Sequence, residues 1–262
     1  MAGYLRGMSI NPDSERPIVF LHLPKTGGQT IHHSVGALVG ARNISPYRLQ
    51  SHVRDGATFP PEYRMHSGHL HWRELENVPG DPFSFMVLRD PRERLGSFFF
   101  FMREEARRSR DANGVDSLPP AQRVLLNGAS ALFFSKDPQI QLAVRERWSN
   151  LTLTYLALRS LIRRGTLANA PVADLLSLAE ENSRKLTAIY RFGEFEKIED
   201  DIEASFGTRP DIVTKHANPG PLDRSRSRWQ ALLDELDSDA QRSEMERHVA
   251  EDLNVMERIT FR

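Results

Sequence analysis

The run PIVFLHLPKTGGQTIHHSV, residues 17–35, constrains the fold more than any other stretch: an apolar strand passes through a tight Gly-containing turn into a helix beginning near Gly28. The first N–H groups of such a helix have no intrahelical partner, and the helix dipole adds partial positive charge there. Gly27 and Gly28 permit close backbone approach, Lys25 contributes a full charge, and Thr26 and Thr30 contribute hydroxyl donors. Phosphate or sulfate is the natural guest. In a nucleoside triphosphatase loop the lysine follows the glycines and immediately precedes Ser or Thr, whereas here Lys25 precedes both glycines, which disfavours that class.

A second strand-to-helix junction lies in FSFMVLRDPRERLGSF. Residues 83–89 read as a strand, followed by Asp90 as N-cap, Pro91 at the first helical position and Glu93 at the capping-box position. Arg89 then stands at the carboxyl end of the strand, and Ser97 nearly two turns into the helix. Ligands of open α/β sheets bind beyond the carboxyl ends of the strands, so Arg89 and the Lys25 loop are expected to line one crevice and hold a ligand with two separated anionic groups.

Strand-like runs at 18–23, 83–89 and 187–192 each precede a segment of helical period, which predicts an α/β, three-layer fold with a mostly parallel central sheet flanked by helices. With 262 residues and no internal repeat, a single domain spanning 1–262 is expected. Residues 122–181 are helical in pattern, and 237–259 close the chain with another helix. The polar stretch 107–120 reads as a surface insertion loop. Residues 194–203 read as a solvated helix turning Phe195, Ile198 and Ile202 inward, and the four aromatics at 98–101 read as a buried helix.

Thirty-five Lys and Arg against 35 Asp and Glu give a formal net charge of +0, so no global field draws nucleic acid or an anionic membrane, and any anion must be held locally. Cysteine is absent, which excludes a disulfide framework and thiolate metal sites. No apolar run approaches the roughly 20 residues of a spanning helix. A cytoplasmic protein without a membrane segment is expected. The sequons at Asn43 and Asn150 carry no weight.

LPKTGGQT resembles the 5′-phosphosulfate loop of sulfotransferases that use 3′-phosphoadenosine 5′-phosphosulfate (PAPS), and RDPRERLGSFF resembles their 3′-phosphate motif. Through LHLPKTGG, SGHLHWREL and LRDPRERLGSFFFFMRE the chain is most similar to the heparan sulfate 2-O- and 6-O-sulfotransferases and their bacterial relatives, over about the first 105 residues. The resemblance implies a PAPS-binding strand-loop-helix and in-line transfer of a sulfuryl group to a hydroxyl of a carbohydrate-like or small-molecule acceptor, with PAPS as co-substrate and no metal. It assigns Lys25, Thr26, Gly27, Gly28, Gln29 and Thr30 to the phosphosulfate and Arg89 and Ser97 to the 3′-phosphate. Lys25 matches the lysine that neutralises the leaving phosphate, and His69, in the Gly68–His69 pair, matches the catalytic base. Gln29 stands where the family often has Ser or Thr, and a backbone N–H at the helix start can substitute. YRFGEFE and KHANPGPLDRS resemble later family elements, the second a loop that closes over the nucleotide, with Arg224 as its candidate ligand.

HxxHxH, formed by His66, His69 and His71, could ligate zinc, but no carboxylate accompanies it at a recognisable spacing. His66 and His71 are read as structural, and His22, His32 and His33 as outside the site. Two other functions compete. One is a nucleotide-dependent kinase with Asp90 as magnesium ligand, disfavoured because Asp90–Pro91 reads as a helix cap. The other is a module that binds adenosine bisphosphates without turnover.

Overall fold

The structure, a computed structural model, describes residues 16–54, 57–215 and 226–262. In chain order, β1 (Ile18–Leu21), α1 (Gly28–Val39), β2 (Met65–Gly68) and β3 (Phe83–Leu88) lead into α2 (Pro91–Asn113), α3 (Pro120–Leu125) and α4 (Ala129–Phe133). Then come α5 (Pro138–Arg147), α6 (Leu151–Leu158), α7 (Val172–Ser183), β4 (Ala188–Arg191) and α8 (Phe195–Phe206). The last helices are α9 (Arg228–Leu233), α10 (Asp239–Glu244) and α11 (Ala250–Arg258). The fold is α/β, with an all-parallel sheet of order β2-β1-β3-β4 flanked by helices, as the strand-helix alternation predicts. Two compact units form: one holds the described residues through Leu88 with 184–215 and 260–262, the other 89–183 and 226–259. Among the described residues no helix is long and apolar enough to cross a membrane.

In the first unit every residue of β1 and β3 is buried, which explains why these strands read as continuous apolar runs rather than alternating ones. Ile18 and Phe20 of β1, Met65 of β2, Phe83, Phe85 and Val87 of β3 and Tyr190 of β4 share one core with Ile31 and Val35 of α1 and with Ile198, Ile202 and Phe206 of α8. Phe20 stacks on Phe85 with ring centroids 4.8 Å apart. Helix α8 buries Phe195, Ile198 and Ile202, the face its spacing predicts.

The second unit departs from three expectations. Helix α2 continues through Asn113, so the expected loop at 107–120 is largely helix; no Gly or Pro falls between Arg107 and Asn113, and Arg108 pairs with Glu104 and Glu105 along its surface. Of the four aromatics at 98–101, Phe99 and Phe100 are buried, Phe98 is half-buried and Phe101 is 40% exposed, because one side of α2 faces solvent. The expected closing helix is broken into α10, a 3₁₀ turn at Met245–His248 and α11. Asn150 makes the break. Its N–H donates to the His248 carbonyl (2.8 Å) and its Nδ2 to that of Arg247 (3.1 Å), while its Oδ1 accepts from the N–H groups of Glu251 (3.0 Å) and Asp252 (3.3 Å). One residue thus satisfies the carbonyl end of one helical segment and the N-terminus of the next.

Gly96 fixes how α9 crosses α2, since a Cβ there would stand 2.3 Å from the Arg228 carbonyl oxygen and 2.9 Å from the Trp229 nitrogen. Glycine inside a helix costs about 1 kcal/mol relative to alanine. Steric overlap with backbone outweighs that gain here. Gly96→Ala is therefore expected to destabilise the protein by about 2–3 kcal/mol in urea unfolding; a neutral or stabilising result would mean that α9 can move away at little cost.

Candidate functional site

After β1 the chain turns at Pro24, and Lys25 (φ 71°) and Gly27 (φ 80°) both adopt left-handed backbone. For Lys25, which carries a Cβ, that conformation costs about 1–2 kcal/mol, strain of the kind that gathers where backbone is held for a ligand. Thr26 is fully buried and donates its hydroxyl to the Leu23 carbonyl at 2.8 Å. The hydroxyl expected to reach an anion instead closes the turn that shapes the loop. Lys25 is half-buried, Gln29 exposed and Thr30 buried. Helix α1 takes Gly27 as its N-cap, no side chain caps it, and its first turn holds no acidic residue. No carboxylate of the loop competes with an external anion for the N–H groups at this helix start.

His22 links the loop to the histidine expected to act as base. It continues the alternation of Ile18 and Phe20 and is only 6% exposed. Its ring abuts Gly28 so closely that a Cβ there would stand 1.9 Å from His22 Nε2, and it stacks on the His69 ring at 4.3 Å. His69 follows β2, and its Nδ1 donates to the His22 carbonyl at 2.7 Å. A carbonyl can only accept, so Nδ1 carries the hydrogen and Nε2 of the neutral ring carries the lone pair. Burial lowers the His69 pKa, the His22 carbonyl opposes that shift, and the Arg48 guanidinium adds to it. The ring is thereby kept in the form that accepts a proton.

Arg48 enters from a segment hydrogen-bonded alongside β2, where its carbonyl accepts the His69 N–H at 2.9 Å. Its guanidinium donates to Ser67 Oγ at 3.2 Å and to His32 Nδ1. Burial, reinforced by Arg48, holds His32 down to about 4, so it too is neutral. His22 and His32, expected to lie outside the site, are therefore parts of one cluster with His69, Arg48 and the loop. Strand alternation carried a signal for His22, and the spacing Gly28, Ile31, His32, Val35 carried one for His32. Arg48 sits in irregular chain with no period to read. His66, pushed down to about 4 by burial, packs edge-on against Phe59 at 5.4 Å, and the His71 N–H donates to Gln50 Oε1 at 2.7 Å. Among the described residues no three His, Asp or Glu side chains are grouped to hold a metal ion.

An aromatic wall adjoins the loop, also unforeseen in the sequence. A Cβ on Gly27 would meet Phe192 at 3.2 Å and Phe195 at 3.3 Å, and these two side chains line a cavity of about 430 Å³ with Glu194, Lys197 and Val213.

In the second unit Arg89 precedes the N-cap Asp90 of α2, and Ser97 lies nearly two turns inside the helix. Arg89 is paired with Glu93 at 3.3 Å, and Ser97 is half-buried. Asp90 accepts the Glu93 N–H at 3.0 Å, so it caps α2 as its position predicts. Glu93 departs from its expected capping-box role. Its carboxylate turns to the start of α9, accepting from Ser227 Oγ (2.5 Å) and from the N–H groups of Arg228 (3.1 Å) and Trp229 (3.2 Å). Arg89 is thus oriented by a glutamate that is itself fixed by three donors. Arg224 lies outside the described residues. The chain matches no protein-family model, and a search of curated proteins finds no match.

Proposed function

We propose that this protein is a PAPS-dependent sulfotransferase acting on a hydroxyl of a carbohydrate-like or small-molecule acceptor. The observation that carries the reading is the junction of an uncapped, carboxylate-free helix start bearing Lys25 with a half-buried neutral histidine whose Nδ1–H is anchored to the His22 carbonyl. The donor set suits a phosphosulfate: N–H groups at the start of α1 and the Lys25 ammonium would hold it. A base of the nucleotide would find an aromatic face at the half-buried Phe192. The resemblance assigns the 3′-phosphate to Arg89 and Ser97.

In the proposed reaction His69 Nε2 takes the proton of the acceptor hydroxyl. The acceptor oxygen forms a bond to sulfur as the bond from sulfur to the 5′-phosphate oxygen breaks, giving a sulfate ester and 3′-phosphoadenosine 5′-phosphate. Charge grows on the departing phosphate oxygen, and Lys25 stabilises it more in the transition state than in the ground state.

Thermal denaturation tests the nucleotide. Addition of 3′-phosphoadenosine 5′-phosphate is expected to raise the melting temperature by several degrees and ATP much less, since only the former brings a 3′-phosphate. Arg89→Ala is expected to weaken the 3′-phosphorylated ligand by about 10–100-fold, the loss of a charge-assisted contact. Equal shifts from both nucleotides would remove the assignment of Arg89 and Ser97. Transfer from PAPS should also persist in EDTA, whereas kinase activity would require magnesium.

A further inference from the structure

A second cavity lies wholly within the second unit and shares no residue with the site described above. Its volume is about 520 Å³, and it opens where α4 ends, along α5 and beside the turn that precedes α11. Its apolar lining is Phe133 and Val144, both buried, and the half-buried Phe134, beside the polar Gln141, Ser149 and His248. Its polar rim is cationic. Lys136, Arg145 and Arg247 all line it with exposed side chains, and none of the described residues lining it is a carboxylate. Arg247 pairs with Glu244 at 3.0 Å, outside the lining, and its guanidinium carbon stands 5.6 Å from the centre of the Phe134 ring.

In a chain whose charges balance overall, Lys136 and Arg145, with the Glu244-paired Arg247 beside them, give the rim of this hollow a local positive bias, and the hollow is large enough for a ring. The combination selects a ligand by both ends. An uncharged ring would make no use of Lys136 and Arg145, and a small inorganic anion would leave the aromatic lining uncovered. From this lining we infer a binding site for an organic anion, a sulfate or phosphate monoester carried on an aromatic or similarly apolar body, with the charged group among Lys136, Arg145 and Arg247 and the body against Phe133 and Phe134.

The probes are phenyl sulfate, phenol and inorganic sulfate, titrated calorimetrically into the full chain at low salt. Phenyl sulfate is expected to bind saturably at one site, more tightly than either fragment, and more weakly as salt is raised. The double variant Lys136→Gln/Arg145→Gln changes two exposed side chains, and it should weaken phenyl sulfate by about tenfold, the sum of two rim charges. Phe134→Ala should weaken phenyl sulfate and leave inorganic sulfate unchanged. Lys25→Ala should leave phenyl sulfate unchanged, whatever it does to inorganic sulfate at the phosphate loop, which separates this cavity from that loop. The inference is overturned if phenol or inorganic sulfate binds as tightly as phenyl sulfate, if the double variant retains full affinity, if Lys25→Ala abolishes binding, or if no saturable binding is seen.

Discussion

His69→Ala is expected to lower sulfuryl transfer by about 10²–10⁴-fold while 3′-phosphoadenosine 5′-phosphate still binds with its original affinity, the signature of a lost general base. The ring is held from both sides: its Nδ1–H is fixed to the His22 carbonyl and its face lies on the His22 ring, which leaves Nε2 as the proton acceptor. Burial and the Arg48 guanidinium keep its pKa below the ordinary histidine value of 6.5, with the His22 carbonyl in partial opposition. The acid limb of kcat/KM should therefore fall below pH 6.5. Arg48→Gln removes a cation that disfavours protonation, so the limb should move to higher pH. An acid limb at or above 6.5 in the natural protein, or transfer in His69→Ala within tenfold of normal, would place the base elsewhere.

Arg94→Met should destabilise the protein by about 3–5 kcal/mol, the largest stability effect expected of a single substitution here. Arg94 and Asp252 are both fully buried, with Nη2 and Oδ2 3.9 Å apart, and the guanidinium nitrogens have no hydrogen-bond partner among the described residues. Burial pushes the Asp252 carboxyl up and the Arg94 guanidinium down, by more than their mutual attraction restores. Removing the arginine alone would strand a buried carboxylate. The sign of the pH dependence follows. A carboxyl whose folded pKa lies above its unfolded value, about 3.9, favours the fold below that value and loses this contribution as pH rises through the folded pKa. The deficit of Arg94→Met should hence be greatest near neutral pH and shrink on acidification. Arg94→Met/Asp252→Asn should recover most of the loss, because an asparagine Oδ1 can still accept the Leu153 N–H that Asp252 Oδ1 accepts at 2.8 Å. A double variant no more stable than the single one, or a deficit that ignores pH, would show that the two groups are uncoupled.

Much of the fold is legible in local sequence because local rules act within a few residues. The apolar runs that become β1, β3 and β4, the glycine turn before α1, and the Asp90–Pro91 start of α2 each depend on dihedral preference, capping or burial of a short segment. Strand β2 is short and carries His66 and Ser67, so no apolar period marks it; its place is set by pairing with β1, Met65 opposite Ile18 through Gly68 opposite Leu21. The broken closing helix escaped for the same reason. The residue that interrupts it, Asn150, lies far away along the chain.

The candidate site divides along that line. Sequence by itself determined an α/β chain with a glycine turn bearing Lys25 at the helix start after its first strand, since backbone geometry and residue type suffice for that. Tertiary structure alone decided that Thr26 spends its hydroxyl on the turn, that Glu93 reaches α9 rather than its own helix cap, and that His22, His32 and Arg48 gather around His69. Each of these depends on where a side chain meets a partner distant in sequence, and desolvation and hydrogen-bond geometry exist only once the chain has closed around them.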